Sequence, residues 1–172
     1  SLKAGEYQVP QGANTVTVLS LIASGQVIQH NVVFREGATV AELARQLEGE
    51  RLSTAEDVVR AARDSRLLRS LDIASDSVEG YLFPETYNLP RDAGAEMLVE
   101  QMSRRFLAVY DAKLREAARA RGLTTRQVVT IASLIEKETS RPEERPLVSA
   151  VYQNRMRIGM GSPPILAGAA ES

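Results

Sequence analysis

The chain contains no cysteine and no tryptophan, and it has a single histidine, His30. Without cysteine there is no disulfide framework, no thiolate nucleophile and no cysteine-based metal site. A cysteine-free chain is compatible with either redox compartment. His30 has no second histidine with which to form a metal pair, so we predict a structural role for it.

The sequence also lacks a dominant charge and a long hydrophobic run. Lys and Arg total 21 against 22 Asp and Glu, which gives a net charge of −1. Nucleic-acid binding is therefore not expected, because no strong positive field attracts phosphate. No apolar run approaches the ~20 residues that span a bilayer, and nothing at the start reads as a signal peptide. With 172 residues, one compact domain or two small ones can form.

Acidic residues stand at the margins of an apolar helix in the second half of the chain. Thr124 and Gln127 form a capping-box pair, which predicts a helix directly after them. Glu136 and Glu138 then lie on opposite margins of its apolar face. Partial desolvation there would favour a protonated carboxyl group, as a general acid needs. Periodicity alone favours the simpler interpretation, in which both are boundary residues of a core helix.

An aromatic segment begins at residue 79, with rings alternating along a predicted strand at Tyr81, Phe83 and Tyr87. Aromatic faces stack on the apolar side of a sugar ring, and carboxylates bind its hydroxyls. We therefore predict groove positions for Glu79, Glu85 and Tyr87 and a core position for Phe83. Core filling is the alternative explanation for the rings.

Capping and turn signals predict an α/β (α+β) fold in two parts. Helices are expected after Asn14, after Thr39 with Glu42, and after Ser53 with Glu56, with a strand over residues 26–34. A polar run over residues 72–77 predicts a domain boundary. One long amphipathic helix is expected over residues 95–120.

Three segments together resemble the signature blocks of the endolytic murein transglycosylases, the MltG or YceG-like family: Glu79–Tyr87, Val128–Thr139 and Val148–Met160. They occur in the family's order and at about its spacing, and the similarity extends from about Leu2 to Met160. The resemblance implies a LysM-like accessory region over residues 1–77, incomplete at its start. It also implies a mostly helical, incomplete catalytic region over residues 78–160, followed by an atypical flexible tail over residues 161–172.

The resemblance carries the family's catalytic glutamate onto Glu136. It implies lytic cleavage of the bond between N-acetylmuramic acid and N-acetylglucosamine in peptidoglycan, leaving 1,6-anhydro ends without a metal or cofactor. The substrate-binding residues that we predict lie in the same blocks: Glu79, Tyr81, Glu85, Thr86, Tyr87, Ser133, Glu138, Asn154 and Arg155. An amide suits an N-acetyl group and a guanidinium suits a carboxylate. Helix capping and a surface ion pair explain Asn154 and Arg155 as well.

The resemblance further implies glycan strands and peptidoglycan synthases as partners. It places the protein in the cell envelope, at the outer face of the cytoplasmic membrane, held by an amino-terminal anchor that this chain lacks. After Met160, residues 161–172 replace the family's segment ending in Asp-Pro-Thr. We therefore expect low activity from this chain, with a noncatalytic peptidoglycan-binding or scaffolding module as the alternative. A third hypothesis is a hydrolase that pairs Glu136 with Glu79 or Glu85 across roughly 5 to 10 Å.

Overall fold

The structure, a computed structural model, describes residues 4–139 and 141–157, with side chains as far as Asn154. The chain divides into two compact units, Ser1–Val109 and Tyr110–Ser172. The first unit contains α1 (Thr15–Ser24), β1 (Gln29–Val33), α2 (Val40–Gly49), α3 (Ala55–Ala62), α4 (Ser65–Ser70), β2 (Thr86–Pro90), a 3-10 turn (Arg91–Ala93) and α5 (Gly94–Val109). The second contains α6 (Ala112–Ala120), α7 (Thr125–Glu138) and α8 (Arg145–Arg157). The mixed α+β composition that the sequence predicts is confirmed.

Local capping chemistry sets the helix starts. The Asn14 side chain accepts a hydrogen bond from the backbone N–H of Thr17, and Thr39 forms the predicted capping box with Glu42. The prediction for α3 is wrong by one residue, because Thr54 and not Ser53 accepts the hydrogen bond, from the backbone N–H of Asp57.

The sheet has two antiparallel strands, in which Val32 of β1 stands opposite Tyr87 of β2. Helices α2, α3 and α5 pack in the same unit, and its fully buried side chains include Leu43, Leu98 and Met102. The predicted strand from residue 79 is confined to β2. The Phe83 N–H donates to the carbonyl of Met102, on a helix, and not to a neighbouring strand, so the preceding segment lies outside the sheet. Phe83 itself is half-buried.

Two predicted boundaries differ from the structure. The polar run over residues 72–77 lies inside the first unit, because Val78 is fully buried and its N–H donates to the carbonyl of Ala62. The predicted long helix is two helices, α5 and α6. Asp111 caps α6 by accepting from the Leu114 N–H at 2.9 Å, and its extended backbone interrupts the helical path.

In the second unit, α7 begins at the predicted capping box of Thr124 and Gln127. Helices α7 and α8 pack together. The tail over residues 161–172 lies outside the described residues. Within the part of the chain that the structure describes, no helix combines the length and the apolar character needed to cross a membrane.

Candidate functional site

Glu136 lies two residues before the end of α7, and its side chain is exposed. The predicted partial burial is not observed, because neighbouring Ala132 is exposed and Val129 only half-buried. Among the described residues, Glu136 makes no hydrogen bond and no ion pair. Its carboxylate is therefore exposed, and within the described part of the chain it is not engaged in holding the fold.

Glu138, the other carboxylate of this segment, has a structural partner. It accepts a hydrogen bond at 3.2 Å from the hydroxyl of Tyr152 on α8. This bond ties the end of α7 to the neighbouring helix. Tyr152 belongs to the third block of the sequence but was not among the predicted site residues, since only the packing of the two helices brings it to Glu138.

The turn between α7 and α8 is fixed by a buried threonine. The hydroxyl of Thr139, which is 6% exposed, donates to the Glu144 carboxylate at 2.8 Å and accepts from the Arg141 N–H at 3.0 Å. Arg141 also pairs with Glu144 at 3.4 Å. These contacts fix the end of the helix that carries Glu136, and sequence reasoning missed all three residues.

Two of the remaining predicted residues of the second unit, Ser133 and Asn154, are exposed. The Ser133 hydroxyl donates to the carbonyl of Val129 at 3.0 Å, within α7. Asn154 is exposed on α8. The backbone of Arg155 continues the same helix, and its side chain lies outside the described residues.

In the first unit, the two predicted tyrosines are packed. The Tyr81 ring meets the Phe106 ring edge-on, with 5.4 Å between centroids. The Tyr87 hydroxyl donates to the Phe83 carbonyl at 2.7 Å. Burial raises the pKa of Tyr87 to about 12, and the negative charge of Glu85 adds to the effect. The groove position predicted for Tyr87 is not observed, since its ring is only 3% exposed.

The carboxylates of this block have different surroundings. Glu79 accepts a hydrogen bond at 3.0 Å from the Val40 N–H, the first residue of α2, so it caps that helix. Glu85 binds the guanidinium of Arg105 through both oxygens, at 2.9 and 3.4 Å. Thr86 is exposed at the start of β2. Glu79, Glu85 and Thr86 are all exposed, but Glu79 lies before the strand, whereas Glu85 and Thr86 lie at the start of β2.

His30 takes part in an ionic cluster at the edge of the sheet. Its Nε2 lies 2.8 Å from one oxygen of Glu6, and Arg91 donates to the other at 2.9 Å. The hydrogen bond with His30 holds the pKa of Glu6 below its ordinary value, helped by Arg91. Across the described residues, no three His, Cys, Asp or Glu side chains converge as metal ligands.

The predicted residues therefore fall into two groups, one in each unit. Glu136 and Glu138 stand near the end of α7, while Glu79 and Glu85 belong to the first unit. The pairing of Glu136 with one of those two carboxylates stays a prediction.

Comparison with known proteins gives matches that include the predicted residues of both units. Residues 1–165 match the YceG-like family. The chain is 29% identical to an endolytic murein transglycosylase of Streptococcus pneumoniae, over 92% of this chain and 33% of that protein. It is 23% identical to one of Bacillus subtilis, over 92% of this chain and 48% of that protein. The chain thus spans from about a third to about half the length of these relatives.

A solved structure is also similar. The crystal structure of a yceG-like protein from Listeria monocytogenes matches with a TM-score of 0.65 and 25% sequence identity. The match covers 91% of this chain and 57% of the other. The likeness therefore extends through both units of the chain.

Proposed function

Because the chain belongs to the YceG-like family, we propose that it is an endolytic murein lytic transglycosylase of the cell envelope. It would cleave the bond between N-acetylmuramic acid and N-acetylglucosamine within glycan strands and leave 1,6-anhydro ends. The observation that carries the proposal is the exposed carboxylate of Glu136, which is free of structural contacts among the described residues and lies within the matched range. The names of the two relatives support the same substrate.

In the proposed reaction, Glu136 acts first as an acid and then as a base. Its proton passes to the glycosidic oxygen as the bond from that oxygen to the anomeric carbon of the muramoyl residue breaks. The resulting carboxylate takes the proton of the muramoyl 6-hydroxyl while that oxygen bonds to the same carbon. No water enters the product, so a single carboxylate suffices, whereas two-carboxylate glycosidases need a partner.

The substrate itself would complete the environment of Glu136. The first step needs the protonated form of this carboxyl group. A glycan strand lying over α7 would displace water from this side chain, and desolvation favours the neutral form. The exposure of Glu136 is therefore compatible with an acid that becomes competent only under bound polymer.

The other proposed substrate contacts divide by their surroundings. In the second unit, Ser133, Asn154 and Arg155 would contact the strand, while Glu138 keeps α7 and α8 together through Tyr152. In the first unit, Glu85 and Thr86 would do so from the surface. Tyr81 and Tyr87 would support them from within the fold, and Glu79 would do so by capping α2.

The direct test is incubation of the chain with purified murein sacculi, followed by mass spectrometry of the soluble fragments. The lyase releases anhydromuramoyl ends. Reducing muramoyl ends would instead indicate a hydrolase. Sacculi that retain the protein and release nothing would indicate the noncatalytic binding module.

Glu136→Gln keeps the shape of the side chain and removes the proton that can be transferred. We expect it to lower anhydromuramoyl release on the order of a hundredfold or more. Melting temperature should stay close to that of the parent, because the side chain is exposed. The matched control is Glu116→Gln, an exposed glutamate on α6 of the same unit. Parental release by Glu136→Gln would remove Glu136 from the chemistry.

A further inference from the structure

We propose that Arg105 is a positioning residue, which orients Glu85 for contact with the glycan strand. The inference rests on the proposed function, because it assigns Glu85 to the surface that meets the strand. Arg105 lies on α5, outside all three blocks of the sequence that resemble the family. It would act through Glu85 without itself contacting the sugar.

The geometry holds the Glu85 side chain in one orientation. Arg105 donates from Nε to one oxygen at 2.9 Å and from a terminal nitrogen to the other at 3.4 Å. The guanidinium also lies over the Phe83 ring, 5.5 Å from its centre. A fork that binds both oxygens fixes the plane of the carboxylate, which a single point charge does not.

The backbone of the same residue is held separately. The Glu85 carbonyl accepts a hydrogen bond at 3.0 Å from the N–H of Phe34, directly after β1. Backbone and side chain are thus anchored at two different places, by the residue that follows β1 and by α5. Because an ionised carboxylate has about four acceptor positions, the two contacts from Arg105 leave others for sugar hydroxyls. The Glu85 side chain is 45% exposed, so those positions are reachable.

The neighbouring arginine shows what a purely local pair looks like. Arg104 pairs with Glu100 at 2.7 Å, one turn away on the same helix. The Arg105 pair instead joins residues 20 positions apart in the sequence. Both pairs are exposed, and exposed ion pairs contribute little to stability. Orientation of Glu85 is therefore the effect that distinguishes Arg105 from Arg104.

The test is a double-mutant cycle on binding, with glycan strands from purified sacculi as the probe. Affinity is measured by co-sedimentation for the parent, Arg105→Met, Glu85→Gln and the double variant. We expect each single change to weaken binding about tenfold, since a hydrogen bond to a charged group is lost. The double variant should bind as weakly as Glu85→Gln alone. Arg105→Lys should restore part of the affinity, and Arg104→Met should bind like the parent.

Several results would overturn the assignment. If Arg105→Met weakens binding equally with and without Glu85, Arg105 does not act through that carboxylate. If Arg104→Met has the same effect, the contribution is general surface charge. A charge-reversed pair, Glu85→Arg with Arg105→Glu, should regain melting temperature without regaining affinity, and recovery of both would indicate a merely structural pair.

The two proposals fail in different ways. If the chain binds glycan strands but releases no anhydromuramoyl ends, the proposed lyase activity is rejected. The double-mutant cycle on binding would still decide the role of Arg105. Absence of any binding by the parent chain would overturn the role of Arg105 itself.

Discussion

The two units of the chain differ in how their side chains are held. In the first unit, residues from the sheet and from several helices are fully buried, among them Val32, Leu43, Val58 and Leu98. In the second, the buried positions within the described residues are Tyr110, Ala118, Ile131 and Thr139, each between 5% and 8% exposed. The first unit therefore has a core that excludes water, and the described part of the second has shallower packing.

Because of this difference, the larger source of stability and the proposed catalytic acid lie in different units. Burial of apolar surface stabilises by roughly 25 cal/mol per Å², so the first unit has the larger source of stability. The end of α7 makes polar contacts through Glu138 and Thr139, and the proposed acid beside them is exposed. Substitutions in the first unit should therefore change unfolding, whereas those near Glu136 should change local order or reactivity.

The largest effect that would test this contrast is expected from Leu98→Ala. Leu98 is 0% exposed on α5, so the change leaves a cavity and should cost about 2 to 5 kcal/mol of unfolding free energy. Denaturant unfolding measures it. The matched control is Leu114→Ala on α6, where the side chain is 49% exposed and the cost should stay below about 1 kcal/mol. Equal losses at the two sites would contradict the contrast.

Thr139→Val tests the polar junction of the second unit. The change keeps the shape but removes the donor to Glu144 and the acceptor for the Arg141 N–H. It should cost about 0.5 to 1.5 kcal/mol, because the hydrogen bonds of the buried hydroxyl are lost while the exposed groups of Arg141 and Glu144 can bond to water instead. Hydrogen exchange should quicken at the end of α7 and the start of α8, and not in α5. Thr139→Ser keeps the hydroxyl and should exchange like the parent; unchanged exchange in the Val variant would show that the junction does not depend on this bond.

Sequence predicted the parts of the fold that local chemistry determines. The caps at Asn14, Thr39 and Thr124 were correct because each involves residues within one turn. The break before α6 was missed because an apolar spacing of four residues continues across it. That spacing outweighed Asp111, whose role as a cap is visible only once the backbone is extended.

The candidate site divides in the same way. Glu136 could be placed on a helix from its own neighbours in the sequence. The exposure of its side chain could not be predicted in this way, because exposure depends on which face of α7 the fold covers. The contacts of Glu79 with Val40 and of Glu85 with Arg105 join residues 39 and 20 positions apart. Such partners are set by tertiary packing, and a periodic pattern contains no information about them.

The smallest effect is expected from the ionic cluster of Glu6, which tests whether the amino-terminal segment belongs to the stable core of the first unit. The folded pKa of Glu6 is lowered, chiefly by His30. Its contribution should therefore be complete above the ordinary glutamate pKa of about 4.3 and be lost as the pH falls through the folded value. Melting temperatures of the parent and of Glu6→Gln, measured from pH 7 to pH 3, should differ at neutral pH and converge in acid. Glu36→Gln, at an exposed glutamate without a hydrogen bond or ion pair among the described residues, is the control and should follow the parent throughout. A difference between the parent and Glu6→Gln that stays constant with pH would mean that the Glu6 charge does not hold this segment.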